Sequence, residues 1–422
     1  MDTRTKNVSL EDLQKIVGEE HAREATPDDA IDGVQPSFVA EPGSVEETSE
    51  LLEFAAQEDL AVSPRGGGTK GSLGNPPRNL DLILSTARMN EVIEHVPGDQ
   101  VVRVQAGIRL QDLQEQLAGS DQMLGIDPPE VEAGATVGGA VAANSSGPRR
   151  HRYGTIRDLI IGITVVLSDG TVAKAGGKVV KNVAGYDLSK LFTGSLGTLG
   201  LIAACNFRLH PRPETARTVA VELGSAQAAG EAAQAVIHAQ LVPSAVELRW
   251  GEDERLLAVL IEGIEPSVEA QSDTATHLLK GFGNVRTLTE EEAGSPGTSD
   301  AGDEVEIKVS APPAELTGVL DSALGACSRA GVTPRVGGHA GIGVTHVALS
   351  GDEGATAQVV EELREIWTRR GGSVVVRSAP PSFKGRVEAW GPLGTRLELT
   401  RRVKEKFDPR GIMNPGRFAG GI

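Results

Sequence analysis

The chain has 422 residues, 39% of them apolar, enough for two or three domains of about 150 residues with ordinary cores. Lys and Arg number 41 against 58 Asp and Glu, a net charge of −17 spread along the chain, which excludes a basic nucleic-acid reader. Only Cys205 and Cys327 are present, which excludes a disulfide framework and a four-thiolate iron–sulfur cluster within the chain.

The polar start and a longest apolar run of only 159–167 point to a cytoplasmic chain without direct membrane insertion. A leading helix is expected at 9–18, a strand at 37–40, and a capping-box helix from Ser44 and Glu47 to 57. A short strand at 61–63 then runs into Pro64-Arg65-Gly66-Gly67-Gly68-Thr69-Lys70-Gly71 and on to Pro76-Pro77, which cannot open a helix. A strand at 101–106, a helix at 110–117, a small-residue segment at 134–144, a hairpin of 159–167 and 171–175 about Asp169-Gly170, and a strand at 199–209 follow. His210-Pro211-Arg212-Pro213 reads as a domain boundary.

Beyond it the order is strand 218–223, helix 226–240, strands 245–250 and 256–262, and helix 267–280. It repeats as strand 304–310, helix 314–330, strands 334–336 and 344–349, helix 355–370 and strand 373–376, with a mobile loop expected at 290–303. Two such units predict an antiparallel sheet covered on one face by helices. A final helix at 395–406 precedes a turn-rich tail.

Glycine is common, 52 residues, while aromatics make up 3%, so close backbone approach matters more than bulky packing. The loop 64–71 follows a strand, as phosphate-binding loops do, but opens no helix and lacks Gly-Lys-Ser/Thr, so neither dinucleotide fingerprint nor P-loop applies. Taken alone, such a loop is as often a plain surface turn. A second stretch from Gly134 to Gly147 has no side chain larger than Val over 136–143, and a third runs from Gly194 to Ile202. Three in one half of a chain point to a flat ring or a pyrophosphate against backbone.

In this order, Pro64 to Thr69, Val137-Gly138-Gly139 with Asn144 and Gly147, Tyr153-Gly154, Gly176-Gly177-Lys178 with Lys181 to Leu188, Gly194 to Gly200, and the tail Asp408-Pro409-Arg410-Gly411 with Asn414-Pro415-Gly416 resemble FAD-linked oxidases of the vanillyl-alcohol-oxidase, or PCMH, type. Within that superfamily the chain is most similar to the FAD-binding subunits of glycolate oxidases, relatives of the D-lactate and D-2-hydroxyacid dehydrogenases. The resemblance implies an α+β architecture: a two-part PCMH-type FAD-binding domain and an α+β cap domain with an antiparallel sheet. The expected divisions are a helical lead at 1–34, the FAD-binding domain at 35–212, the cap at 213–378 and a returning segment at 379–422. FAD would be held non-covalently, since Thr69 stands where the family often carries an attaching His. Its contacts would come from Pro64, Arg65, Gly66, Gly67, Gly68, Thr69, Lys70, Gly71, Gly134, Thr136, Gly138, Gly139, Asn144, Gly147, Ile156, Gly200, Leu201, Ile202 and Asn414.

The D-2-hydroxyacid relatives place substrate with a divalent metal held by His-x6-His and a later Glu-His pair. His339 and His346 reproduce the first spacing, but 378–385 lacks the second pair, so no metal is expected and ordinary polar contacts are the favoured reading. A seven-residue offset would also set the two on opposite faces of one regular strand, unless Gly341 and Gly343 break it. Hydroxyacid oxidation needs a cation for the carboxylate and a base for the hydroxyl. Lys308 falls where the family carries a substrate-facing Lys, with an exposed strand lysine an equal alternative, and His339 and His346 are the base candidates. The favoured expectation is an FAD-binding subunit of a glycolate oxidase-like complex oxidising a small 2-hydroxy acid, with a homologous FAD-containing catalytic subunit and an iron–sulfur subunit as partners. A self-sufficient D-2-hydroxyacid dehydrogenase and a structural subunit with a decayed site are the alternatives.

Overall fold

The computed structural model describes residues 8–177, 187–294 and 304–422. The motif residues Lys178 and Lys181 to Tyr186, and 295–303 of the expected loop, lie outside the described residues. The first half is built on two sheets. One pairs β1 (Ala22–Glu24), β2 (Phe38–Ala40), β3 (Val62–Arg65) and β4 (Leu82–Ser85) in the order β1-β2-β4-β3, parallel except at β1. The helix Val45–Gln57 packs on it through Leu51, Leu52 and Ala55. Ser44 caps that helix by accepting from the Glu47 amide, but the Glu47 carboxylate reaches the amide of Gly43 instead of closing a reciprocal box.

The second sheet is antiparallel: β5 (Val92–Val96), β6 (Val101–Gln105), β8 (Ile160–Val166), β9 (Val172–Gly176) and β10 (Leu201–Arg208), in the order β5-β6-β10-β8-β9. A two-residue β7 (Gln122–Met123) pairs with β11 (His210–Pro211), so the expected boundary at 210–213 is still hydrogen-bonded to the first half. The small-residue stretch forms the helix Val137–Ala143, with the Thr136 hydroxyl accepting from the Gly139 amide at its start.

The second half is one eight-stranded antiparallel sheet of β12 (Thr215–Glu222), β13 (Ala245–Trp250), β14 (Arg255–Gly263), β15 (Val285–Leu288), β16 (Val305–Ser310), β17 (Thr333–His339), β18 (Val344–Ser350) and β19 (Ser373–Ser378). Its order, β15-β12-β14-β13-β17-β18-β16-β19, is two copies of one four-strand unit joined at equivalent strands, β13 and β17. Four long helices, Ala226–His238, Glu265–Leu279, Leu316–Ala330 and Glu353–Arg369, bury one face of this sheet. Strand β16 shows the division: Val305, Ile307 and Val309 enter that core, while Glu306 and Lys308 point to the other face, which is left for a site. The final segment returns to the first half, where Val62 exchanges backbone hydrogen bonds with Ile412 and Asn414. Lys384 forms a buried ion pair with Asp32 at 2.9 Å and also donates to the Ser72 carbonyl.

Candidate functional site

The Gly-rich loop lines a cleft of about 230 Å3. Of the residues expected to meet a cofactor, Pro64 through Gly71, Thr136, Gly138, Gly139, Gly200, Leu201, Ile202 and Asn414 all border it. A Cβ at Gly66 would run into the Thr136 side chain and one at Gly67 into the Gly134 carbonyl, so glycine is what lets the loop lie against the start of the helix Val137–Ala143. Gly134 therefore supports the loop from behind and does not border the cleft. Asn144 and Gly147 border the neighbouring, larger cavity instead. Ile156 is fully buried in the hydrophobic core, at the first position of a short helix, and borders neither space.

Charge in the loop is already compensated. Arg65 pairs with Asp29 at 2.8 Å and Lys70 pairs with Glu130. Asp29 lies well below the usual carboxylate range because Arg23 donates to it, with Thr26 and Arg65 adding to the effect. The backbone amides of Gly66, Gly67, Gly68, Thr69 and Lys70 donate to no protein acceptor among the described residues. Asn414 Oδ1 and Arg417 Nη1, both at the cleft, are buried with no hydrogen-bond partner. A run of open amides and orphaned polar atoms around glycines fits a large phosphate-bearing cofactor, which would satisfy them. Asp29 and Arg417 also line the cleft without a sequence motif to mark them, and Leu196 lines it from within the Gly194–Ile202 stretch.

The cleft meets a cavity of about 1050 Å3 at Thr69 and Lys70, which border both. His339 and His346 both line this cavity, with ring centroids 5.9 Å apart. The expectation of opposite faces is corrected here. The seven-residue offset spans a hairpin, not one strand, and the pairing of His339 with Val344 and Gly337 with His346 sets both rings on one face. Each histidine carries a carboxylate on Nδ1: Glu247 at 2.9 Å for His339 and Glu306 at 2.8 Å for His346. The sequence reading lacked these carboxylates because cross-strand register supplies them, Glu247 lying directly opposite His339. Burial holds His346 below the ordinary imidazole value despite Glu306. Glu306 is below the ordinary value as well: burial would raise it, and the hydrogen bond from His346 together with the charges of His346, Arg377 and Lys70 outweighs that.

Lys308 lies directly opposite His346 in the β16–β18 ladder and lines the cavity. It is no simple exposed strand lysine: burial, with Arg377, Arg150 and Lys70 nearby, lowers its ammonium to about 8. The two histidines are thus tied to separate carboxylates. Among the described residues no group of three or more His, Cys, Asp or Glu could hold a metal ion. Among the same residues no helix is long and apolar enough to cross a membrane.

A glycine-loop cleft fitted to a phosphate-bearing cofactor, opening into a cavity with histidine–carboxylate pairs and a lysine, defines an FAD-dependent oxidoreductase. The FAD binding domain model matches residues 36–176 and that of the FAD linked oxidases, C-terminal domain, matches 389–418. The chain is 28% identical to glycolate oxidase subunit GlcD of Bacillus subtilis, covering 91% of this chain and 89% of that one. It is 27% identical to D-lactate dehydrogenase of Archaeoglobus fulgidus, covering 97% and 98%. The fold superposes on p-cresol methylhydroxylase with a TM-score of 0.76 at 18% identity, covering 97% of this chain and 95% of that one. The expected PCMH-type α+β fold with antiparallel sheets is thus borne out.

Proposed function

We propose that this chain oxidises a small 2-hydroxy acid to the 2-oxo acid with FAD as the electron acceptor, as the FAD-binding subunit of a glycolate oxidase-like complex. The observation that carries this is the placement of Lys308 beside the His346–Glu306 pair, in a cavity that meets the Gly-loop cleft at Thr69 and Lys70. FAD, held non-covalently by the loop amides and the glycine-lined helix start, supplies the acceptor for the two electrons that leave as hydride from the hydroxyl-bearing carbon. Lys308 binds the substrate carboxylate. His346 takes the hydroxyl proton: with Nδ1 donating to Glu306 and the ring neutral at pH 7, Nε2 keeps an open lone pair for it. His339, oriented by Glu247, is the second base candidate at the same face.

The subunit role is supported by the likeness to GlcD and by cysteine chemistry. Both cysteines are buried, so no thiolate cluster of this chain relays electrons, and a homologous flavin subunit with an iron–sulfur subunit is the proposed route. The test is turnover with D-lactate and glycolate in Lys308→Ala and His346→Gln at unchanged FAD content. Loss of about 100-fold or more in kcat/KM is expected for each. Wild-type turnover in both would remove these roles.

A further inference from the structure

Strand β19 departs from regular pairing beside the cavity. Ile307 faces Val376 and Glu306 faces Ser378, so Arg377 is the extra residue of a β-bulge, and both Arg377 and Ser378 turn toward the cavity. The bulge re-aims Ser378 to the cavity, where alternation with core-facing Val374 and Val376 already places the Arg377 guanidinium. That guanidinium is close enough to act electrostatically on Lys308, Lys70, Glu306 and His346. Arg150, on the short helix Arg150–Tyr153 of the first half, lines the same cavity and acts on Lys308 in the same way.

Of the carboxylates that line this cavity, three are engaged by its other bases, and Glu252, Asp253, Glu254, Glu291, Glu292 and Glu304 line it as well. Glu130 pairs with Lys70, Glu306 with His346, and Glu247 with His339. The acidic β13–β14 turn lies three strands across the sheet from β16, with its Glu254 near Arg249. Among the described residues no carboxylate forms an ion pair with Lys308, Arg377 or Arg150. Glu306 acts on Arg377 and Asp158 on Arg150 from beyond ion-pair distance, so the three cations still carry a desolvation cost and a mutual repulsion that an anion bound between them would relieve. They also stand beside His346, where a divalent cation would add to the repulsion.

We infer that Lys308, Arg377 and Arg150 form a preassembled, metal-independent carboxylate site, in which guanidinium and ammonium groups replace the divalent metal that the two-histidine spacing otherwise suggests. The inference rests on the reading of this cavity as the substrate site. It differs from that reading in what it requires: anion binding that survives chelation and depends on Arg377. The planar fork of Arg377 presents paired donors to a carboxylate, and Lys308 adds a point charge.

The experiment is calorimetric titration of the FAD-loaded protein with oxalate, an anion with no hydroxyl carbon to oxidise, with and without EDTA. Saturable binding unchanged by EDTA is expected. It weakens at least tenfold in Arg377→Met and in Arg150→Met, and is partly restored in Arg377→Lys, at unchanged FAD content and melting temperature. Should Arg377→Met fail to fold, Arg377→Lys and Arg150→Met carry the comparison. No saturable binding, binding abolished by EDTA and restored by Zn2+ or Mn2+, or wild-type affinity in these variants would overturn the inference. The oxidase reading is decided separately by flavin reduction: oxalate bound through Arg377 by a chain whose flavin no 2-hydroxy acid reduces would sink that reading and leave this one standing.

Discussion

Replacing Gly139 with Asp separates cofactor binding from folding. Gly139 lies in the first turn of the helix Val137–Ala143 and borders the 230 Å3 cleft, and the only atom that an added Cβ would meet within 4 Å is the Thr136 hydroxyl, at 3.1 Å. Its backbone is not left-handed, and an acidic residue in a first turn suits the helix dipole, so the fold should tolerate the change. A carboxylate there would share the cleft with the FAD pyrophosphate. Like charges about 4 Å apart at an effective dielectric of about 20 repel by about 4 kcal/mol, which is roughly a thousandfold in Kd. The assay is FAD content after gel filtration and Kd by flavin fluorescence, with melting temperature as the control for folding and Gly139→Ala as the control for side-chain bulk. A soluble, folded Gly139→Asp protein that keeps stoichiometric FAD at the wild-type Kd would refute the placement of the cofactor.

Three further predictions follow from charge. Removing Lys384 leaves buried Asp32 with only Arg417 at 3.9 Å, so Lys384→Met should cost up to about 3 kcal/mol, read as a drop in denaturation midpoint. Burial raises Asp127 to about 7, with Arg149 opposing the shift and Glu247 adding to it; its contribution to stability is therefore full below pH 4 and lost as pH rises through 7. Asp127→Asn should accordingly flatten the decline in melting temperature between pH 4 and 7, and an unchanged slope would count against the assignment. Because the Lys308 ammonium is held near 8, KM for a carboxylate substrate should rise by up to tenfold per unit above pH 8, and Lys308→Arg should remove that rise.

Much of the fold was legible because periodicity was strong. The repeated cap unit, the helix from Ser44 and the hairpin at Asp169-Gly170 follow from apolar spacing and turn chemistry. Strand β15 was not anticipated, a four-residue edge strand with only Leu288 buried, nor was β5, whose residues are all at least partly exposed. The cofactor cleft was legible through its glycines, since few other reasons explain small residues where loop and helix touch. The rest of the site was not. Glu247 and Glu306 reach the histidines through strand register, and Ser378 reaches the cavity through a bulge, neither of which leaves a local pattern in the sequence. Ile156 went astray because a position within a motif says nothing about whether the side chain turns to the core.

The central claim, FAD-dependent oxidation of a 2-hydroxy acid in this chain's own cavity, is tested most directly by an anaerobic visible spectrum of the FAD-loaded protein before and after adding D-lactate or glycolate. The account predicts that the oxidised flavin band bleaches with one equivalent of substrate and that Lys308→Ala slows the bleaching without loss of FAD. A flavin that stays oxidised with every 2-hydroxy acid offered, both alone and with its partner subunits present, would contradict it.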